Sequence, residues 1–134
     1  QAAQGACHVE DAFLLKVLRV VVDQQILGKE EENSDLESQL EGLWDLCVDE
    51  ATARAVVRFK GLEILMEAAA GGVGRIAEAC FGTVANVCSH WAFKEPDELA
   101  NLPLLAASAL RALSSADGAV AAQALRIVYA LLCS

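Results

Sequence analysis

Cys80-Phe81-Gly82-Thr83-Val84-Ala85-Asn86-Val87-Cys88 matches, position for position, Gln39-Leu40-Glu41-Gly42-Leu43-Trp44-Asp45-Leu46-Cys47 before it and Ala124-Leu125-Arg126-Ile127-Val128-Tyr129-Ala130-Leu131-Leu132 after it. Apolar residues recur at four aligned places: Leu40, Phe81 and Leu125; Leu43, Val84 and Val128; Leu46, Val87 and Leu131; Cys47, Cys88 and Leu132. The copies lie 41 and then 44 residues apart. Within each copy the spacing is that of one helix face. A period near 40 marks a stacked helical repeat, because a unit of two or three helices cannot cover its own apolar face and must lie against the next. The arrangement predicts a binding scaffold rather than a catalyst.

Outward from this stretch the chain reads as helices separated by turn signals. Val9 to Leu27 carries Phe13, Leu14, Val17, Leu18, Val21 and Val22 at helical spacing, and Gly28 is placed to end that helix. An acidic loop over 29–35 follows. Ser34-Asp35-Leu36-Glu37 has the form of a capping box, which starts the next helix and carries it to about Val48. Glu50 to Arg58, Leu62 to Ala70 and Arg75 to His90 then give a short, a medium and a long helix, punctuated by Gly61 and by Gly71-Gly72. The same order returns as Asp97 to Asn101, Leu102 to Leu113 and a last helix capped by Asp117. These boundaries divide a single domain, 1–134, into an N-terminal helix (1–28), the acidic loop, the last helix of a first repeat (36–50), a complete repeat (51–91) and a further repeat (92–134).

Composition narrows the function. Hydrophobic residues make up 55% of the chain and aromatics 5%, a bias to Ala, Leu and Val that suits close helix packing. No apolar run approaches the ~20 residues that span a bilayer, and Gln1 to His8 lacks the basic and apolar regions of a signal peptide. A soluble, intracellular chain is expected, cytoplasmic or nuclear or within a cytoplasmic structural assembly. The absence of an initiator Met points to processing or to a segment of a longer protein. Of the net charge of -9, residues 29–50 contribute nine acids against Lys29 alone, whereas 51–134 balance at seven against seven. Such a chain repels phosphate and offers no basic groove to nucleic acid; a basic protein segment is the better partner. The plainer reading of Glu30 to Glu32 is a solvated loop.

Five cysteines without a CxxC pair give no disulfide framework, so a reducing compartment with thiols as packing groups is expected. Cys80 and Cys88 stand two turns apart, about 12 Å along a helix, too far for one metal ion. No histidine is placed to activate a thiol, and Gly71-Gly72-Val73-Gly74 has neither the Lys nor the strand of a phosphate loop. No catalytic residue, metal or cofactor is expected. A redox-regulatory or enzyme-associated subunit using its thiols is the alternative from another class.

Thr52 to His90, with Ala55-Val56-Val57, the Gly61-Leu62 turn and Asn86 near the end of its third helix, resembles an armadillo repeat over its whole length. Asn101 to Cys133 resembles the last two helices of a further repeat, and Leu36 to Val48 the last helix of a preceding one. Leu43-Trp44-Asp45-Leu46-Cys47-Val48-Asp49-Glu50, with Ala55 to Phe59 and Cys80 to Cys88, looks like the serum amyloid A-like armadillo family. The resemblance implies an all-α, short, right-handed armadillo-like solenoid of two to three repeats, non-enzymatic and bound to other proteins.

In such a stack the third helices line one concave face. Asn86 on that face places Ala79 and Gly82 beside it, Ser38, Glu41 and Asp45 on the preceding copy, and Gln123, Arg126 and Ala130 on the last. The groove so predicted runs from acidic to weakly basic, and Ser38, Glu41, Asp45, Asn86, Gln123 and Arg126 are its candidate partner-binding residues. Their plainer reading is the solvent side of amphipathic helices. Importin-type repeats, which are similar in fold, place a Trp four residues before the Asn; here those slots hold Glu41, Gly82 and Arg126, so that ladder is absent. Trp44, Phe81 and Tyr129 are expected to be buried between helices, and Trp91-Ala92-Phe93 to form a turn packed beneath a loop or anchoring a partner.

Overall fold

The computed structural model describes residues 2–27, 34–71, 74–90 and 100–133, with side-chain surroundings given from Asp11 to Gln24 and from Asp35 onward. Residues 29–33 of the acidic loop, Gly28, Gly72, the Trp91 to Phe93 turn, residues 97–99 of the expected short helix, and the side chains of His8 and Ser34 lie outside the described residues. Ser34 and Asp35 are helical rather than part of the loop, and Ala100 and Asn101 form a turn rather than a helix end.

Seven helices and no strand occur among the described residues, and the chain is all-α: α1 (Ala2–Leu27), α2 (Ser34–Leu46), α3 (Glu50–Arg58), α4 (Gly61–Ala68), α5 (Arg75–Ser89), α6 (Leu102–Ala112) and α7 (Gly118–Leu132). No helix among them is long and apolar enough to cross a membrane. The helix starting near Val9 in the sequence reading begins at Ala2, because Ala2, Ala3, Gln4 and Ala6 favour helix and need no apolar stripe to extend it. α3 is capped by Asp49, whose carboxylate accepts from the Thr52 N–H at 3.4 Å. Pro103 stands in the first turn of α6, where its missing N–H costs nothing.

The turn between α3 and α4 is made differently from the expectation. Lys60, not Gly61, takes the left-handed conformation, with φ 63°. Gly61 is required for a different reason: a Cβ there would lie 2.8 Å from the Val56 carbonyl oxygen, so only glycine lets α4 start this close to α3. Gly74, at φ 95°, precedes α5 and donates its N–H to the Asp117 carboxylate at 2.9 Å. That bond holds the Asp117 carboxyl below its ordinary range. The same carboxylate caps α7 through Ala119, so one residue fixes the starts of α5 and α7 together.

α2, α5 and α7 pack side by side in that order, and α4 lies against α1, α5 and α6 behind them. α5 is the middle of the row. All nine residues from Cys80 to Cys88 are buried, which explains why the stretch carries no charge. α1 covers α2, α3 and α4 with Leu14, Val17, Leu18 and Val21, and Asp11 ties it to Arg58 of α3 at 3.2 Å.

Burial corrects the alignment of the last copy. The buried stripe of α2 is Leu36, Leu40, Leu43 and Cys47, and that of α5 includes Ala77, Phe81, Val84 and Cys88. On α7 the matching residues are Val120, Ala124 and Ile127, all fully buried, with Leu131 half-buried. Matching the buried stripes sets Leu40, Phe81 and Ala124 in line, at spacings of 41 and 43 residues, where the apolar pattern alone gives 41 and 44. Leu125 and Leu132, aligned with core positions in the sequence, are 58% and 79% exposed. Tyr129, expected in the core, is 70% exposed. Phe81 is buried as expected, and Trp44 lies half-buried in the seam between α2 and α5.

Candidate functional site

The outer side of the α2–α5–α7 row collects the residues that the sequence singled out. With the spacing that burial defines, Asp45, Asn86 and Tyr129 occupy equivalent positions on the three helices, and Glu41, Gly82 and Leu125 do so one turn earlier. Leu125 and Tyr129 thus stand where Arg126 and Ala130 were expected. Apolar residues in α7 are so dense that two adjacent stripes satisfy the same periodicity.

At the α2 end, Ser38 and Asp45 are exposed. Glu41 is half-buried and accepts from Arg75 Nε of α5 at 2.9 Å; Arg75 also bonds Glu78. Asp49 is spent on capping α3, and Glu50 meets Arg54 at 3.5 Å. The negative surface there is smaller than the run of acids suggests, and among the described residues of α2 it is carried by Asp35, Glu37 and Asp45, which meet no cation.

Asn86 is not an open reader of a ligand. It is 9% exposed, donates Nδ2 to the Trp44 carbonyl of α2 at 2.8 Å, and accepts at Oδ1 from Arg126 of α7 at 2.6 Å. One amide therefore links all three helices of the row. Arg126 donates in addition to Gln123 Oε1 at 2.7 Å, so the predicted residues Asn86, Gln123 and Arg126 do come together, as one hydrogen-bonded chain. Nearby, the His90 ring nitrogen Nε2 lies 3.2 Å from the Cys47 carbonyl, a second tie between α5 and α2.

The Trp44 ring lies across the backbone of Gly82, where a Cβ would fall 2.2 Å from Cε2. A glycine inside a helix was the available sign of this close approach. Between α5 and α7 the row opens into a groove of about 440 Å³, floored by Ala85, Ala122 and Ala130 and flanked by Leu125, Arg126 and Tyr129.

Cys47, Cys80 and Cys88 are free and buried, and burial pushes each thiol from its ordinary 9.0 up to about 12. Asp49 adds to the effect at Cys47. A thiol held protonated is a poor nucleophile, so maleimide should modify exposed Cys133 quickly at neutral pH and these three only as the fold opens. Labelling of all four at one rate in the folded protein would contradict the packing. The raised values also fix a pH dependence. Stability from these thiols is complete below about 9, where the unfolded thiols are protonated too, and is lost as pH rises toward 12. Chemical denaturation should show a falling midpoint over that interval.

Among the described residues no group of three or more His, Cys, Asp or Glu side chains is placed to hold a metal ion. Compared with known proteins, the chain matches no family model, no curated protein and no solved structure.

Proposed function

We propose that the chain is a short armadillo-like, right-handed solenoid of two to three repeats that binds other proteins, as a structural or adaptor subunit of a larger assembly and without enzymatic activity. The observation that carries this reading is Tyr129: a large aromatic, 70% exposed, at the position equivalent to Asp45 and Asn86 in a row of adjacent helices. Scattered surface leucines need no explanation, but Leu125, Tyr129 and Leu132 follow one another along a single helix beside a groove. Exposed Tyr flanked by aliphatic surface is the composition of an interface anchor. At the other end of the row, Asp45 suits a basic residue of the same partner, which would find it by electrostatic steering.

A photo-reactive residue at position 129 should crosslink a protein in native extract, in competition with unlabelled chain, whereas one at exposed Glu67 on α4 should not. Equal labelling at both sites would retire the face as an interface. Asp45→Lys should leave the melting temperature unchanged and reduce partner recovery most at low salt, since screening weakens the contact it reverses.

A further inference from the structure

The groove between α5 and α7 has a chemistry of its own. Its floor is alanine from both helices, so the neighbouring backbones leave a volume of about 440 Å³ that no side chain fills among the described residues. Leu125 and Tyr129 form an apolar wall, and a bulky apolar group is what such a space accepts. Arg126 supplies the polar group. Arg54, Arg58 and Arg75 each meet a carboxylate, whereas Arg126 meets none among the described residues. Its guanidinium is held by two neutral acceptors, Asn86 Oδ1 and Gln123 Oε1, and Asn86 is itself fixed by the Trp44 carbonyl. Two of the five N–H donors are used this way, which orients the planar head without neutralising its charge. The other charged residues of 100–133 are Arg111 and Asp117, whereas 29–50 holds nine acids against Lys29, so an anionic group is repelled less at α7 than at α2.

We infer that the α5–α7 groove docks a protein segment presenting a carboxylate beside a bulky apolar side chain, the carboxylate pairing with Arg126 and the apolar group resting on the alanine floor against Leu125 and Tyr129. A basic side chain in the same place would face an oriented cation. The inference rests on the reading of this row as a protein-binding face and gives the partner segment a polarity: basic toward Asp45, acidic and apolar toward α7.

The test is selection of random short displayed peptides on the folded chain, with affinities of the enriched peptides measured by fluorescence anisotropy. Enriched peptides should carry Asp or Glu next to Leu, Phe or Trp. Arg126→Gln should weaken them on the order of tenfold, as loss of a charge-assisted hydrogen bond does, and Arg126→Lys by less. Because Arg126 also ties α7 to α5, a second pair of variants is placed at Ala122, which is exposed on the groove floor one turn from Arg126, where Glu and Lys add similar bulk and differ in charge. The same peptides should bind Ala122→Lys roughly two- to fivefold more tightly than Ala122→Glu. Enrichment of basic peptides, an inverted response at position 122, no enrichment, or self-association that Tyr129→Glu abolishes would each overturn the inference. If the crosslinker at 129 still captures a partner in that event, the face stands and its acid-binding chemistry falls; if it does not, both fall.

Discussion

Val84→Asp should leave the protein unfolded at room temperature. Val84 is fully buried in the middle of α5, with α2 on one side, α7 on the other and α4 behind. The core there is apolar apart from Thr83 and Asn86, and no described cation lies in it to pair with a carboxylate. Burying such a group costs several kcal/mol even when it takes up a proton, against a total stability of about 5–15 kcal/mol for a domain. Circular dichroism should show loss of helix, and Val48→Asp, at a site 68% exposed, should melt with the parent. A Val84→Asp protein that melts within a few degrees of the parent would mean that α5 is not central.

The second large effect is at Gly82. Replacing a mid-helix glycine with alanine ordinarily stabilises by about 1 kcal/mol. Here the new Cβ would lie 2.2 Å from the Trp44 ring, so the indole must leave the seam between α2 and α5. Overpacking of this kind costs about 1–3 kcal/mol, and loss of the ring's half-buried area adds to it. Gly82→Ala is therefore expected to destabilise despite its helix propensity. Trp44→Leu in the same chain should restore much of the loss, because the smaller side chain vacates the space over position 82. A double-mutant cycle in denaturant should return a coupling of the order of 1 kcal/mol or more. Additive effects would show that the ring does not lie where Gly82 needs it.

The two substitutions probe different kinds of information. That residues 80–88 form a helix with Phe81, Val84, Val87 and Cys88 inward is legible in the sequence from the apolar spacing that repeats at 39–47, whereas the burial of Gly82 and Asn86, read there as facing a groove, is not. A glycine in mid-helix signals some close approach at position 82, but that Trp44 makes it is not legible, because Trp44 lies 38 positions away and its side chain could take either side of α2. Caps divide in the same way. Asp117 was readable as a local signal two residues before Ala119, whereas its bond to Gly74 depends on α5 and α7 starting side by side.

Helical character, the bounds of most helices and the spacing near 40 between the long ones can all be read along the chain. Those are properties of neighbours three and four residues apart, and helical geometry converts them directly into structure. Tertiary structure alone decided which stripe of α7 is covered. Its sequence offers Leu125, Val128 and Leu132 as readily as Ala124, Ile127 and Leu131, and burial by α5 and α6 selects the second set. That choice turns Tyr129 and Leu125 outward and brings Arg126 onto Asn86, and so creates the groove. It could not be read along the chain because an almost uniformly apolar helix has no unique face until its neighbours cover one, and for α7 those neighbours among the described residues are α5 and α6.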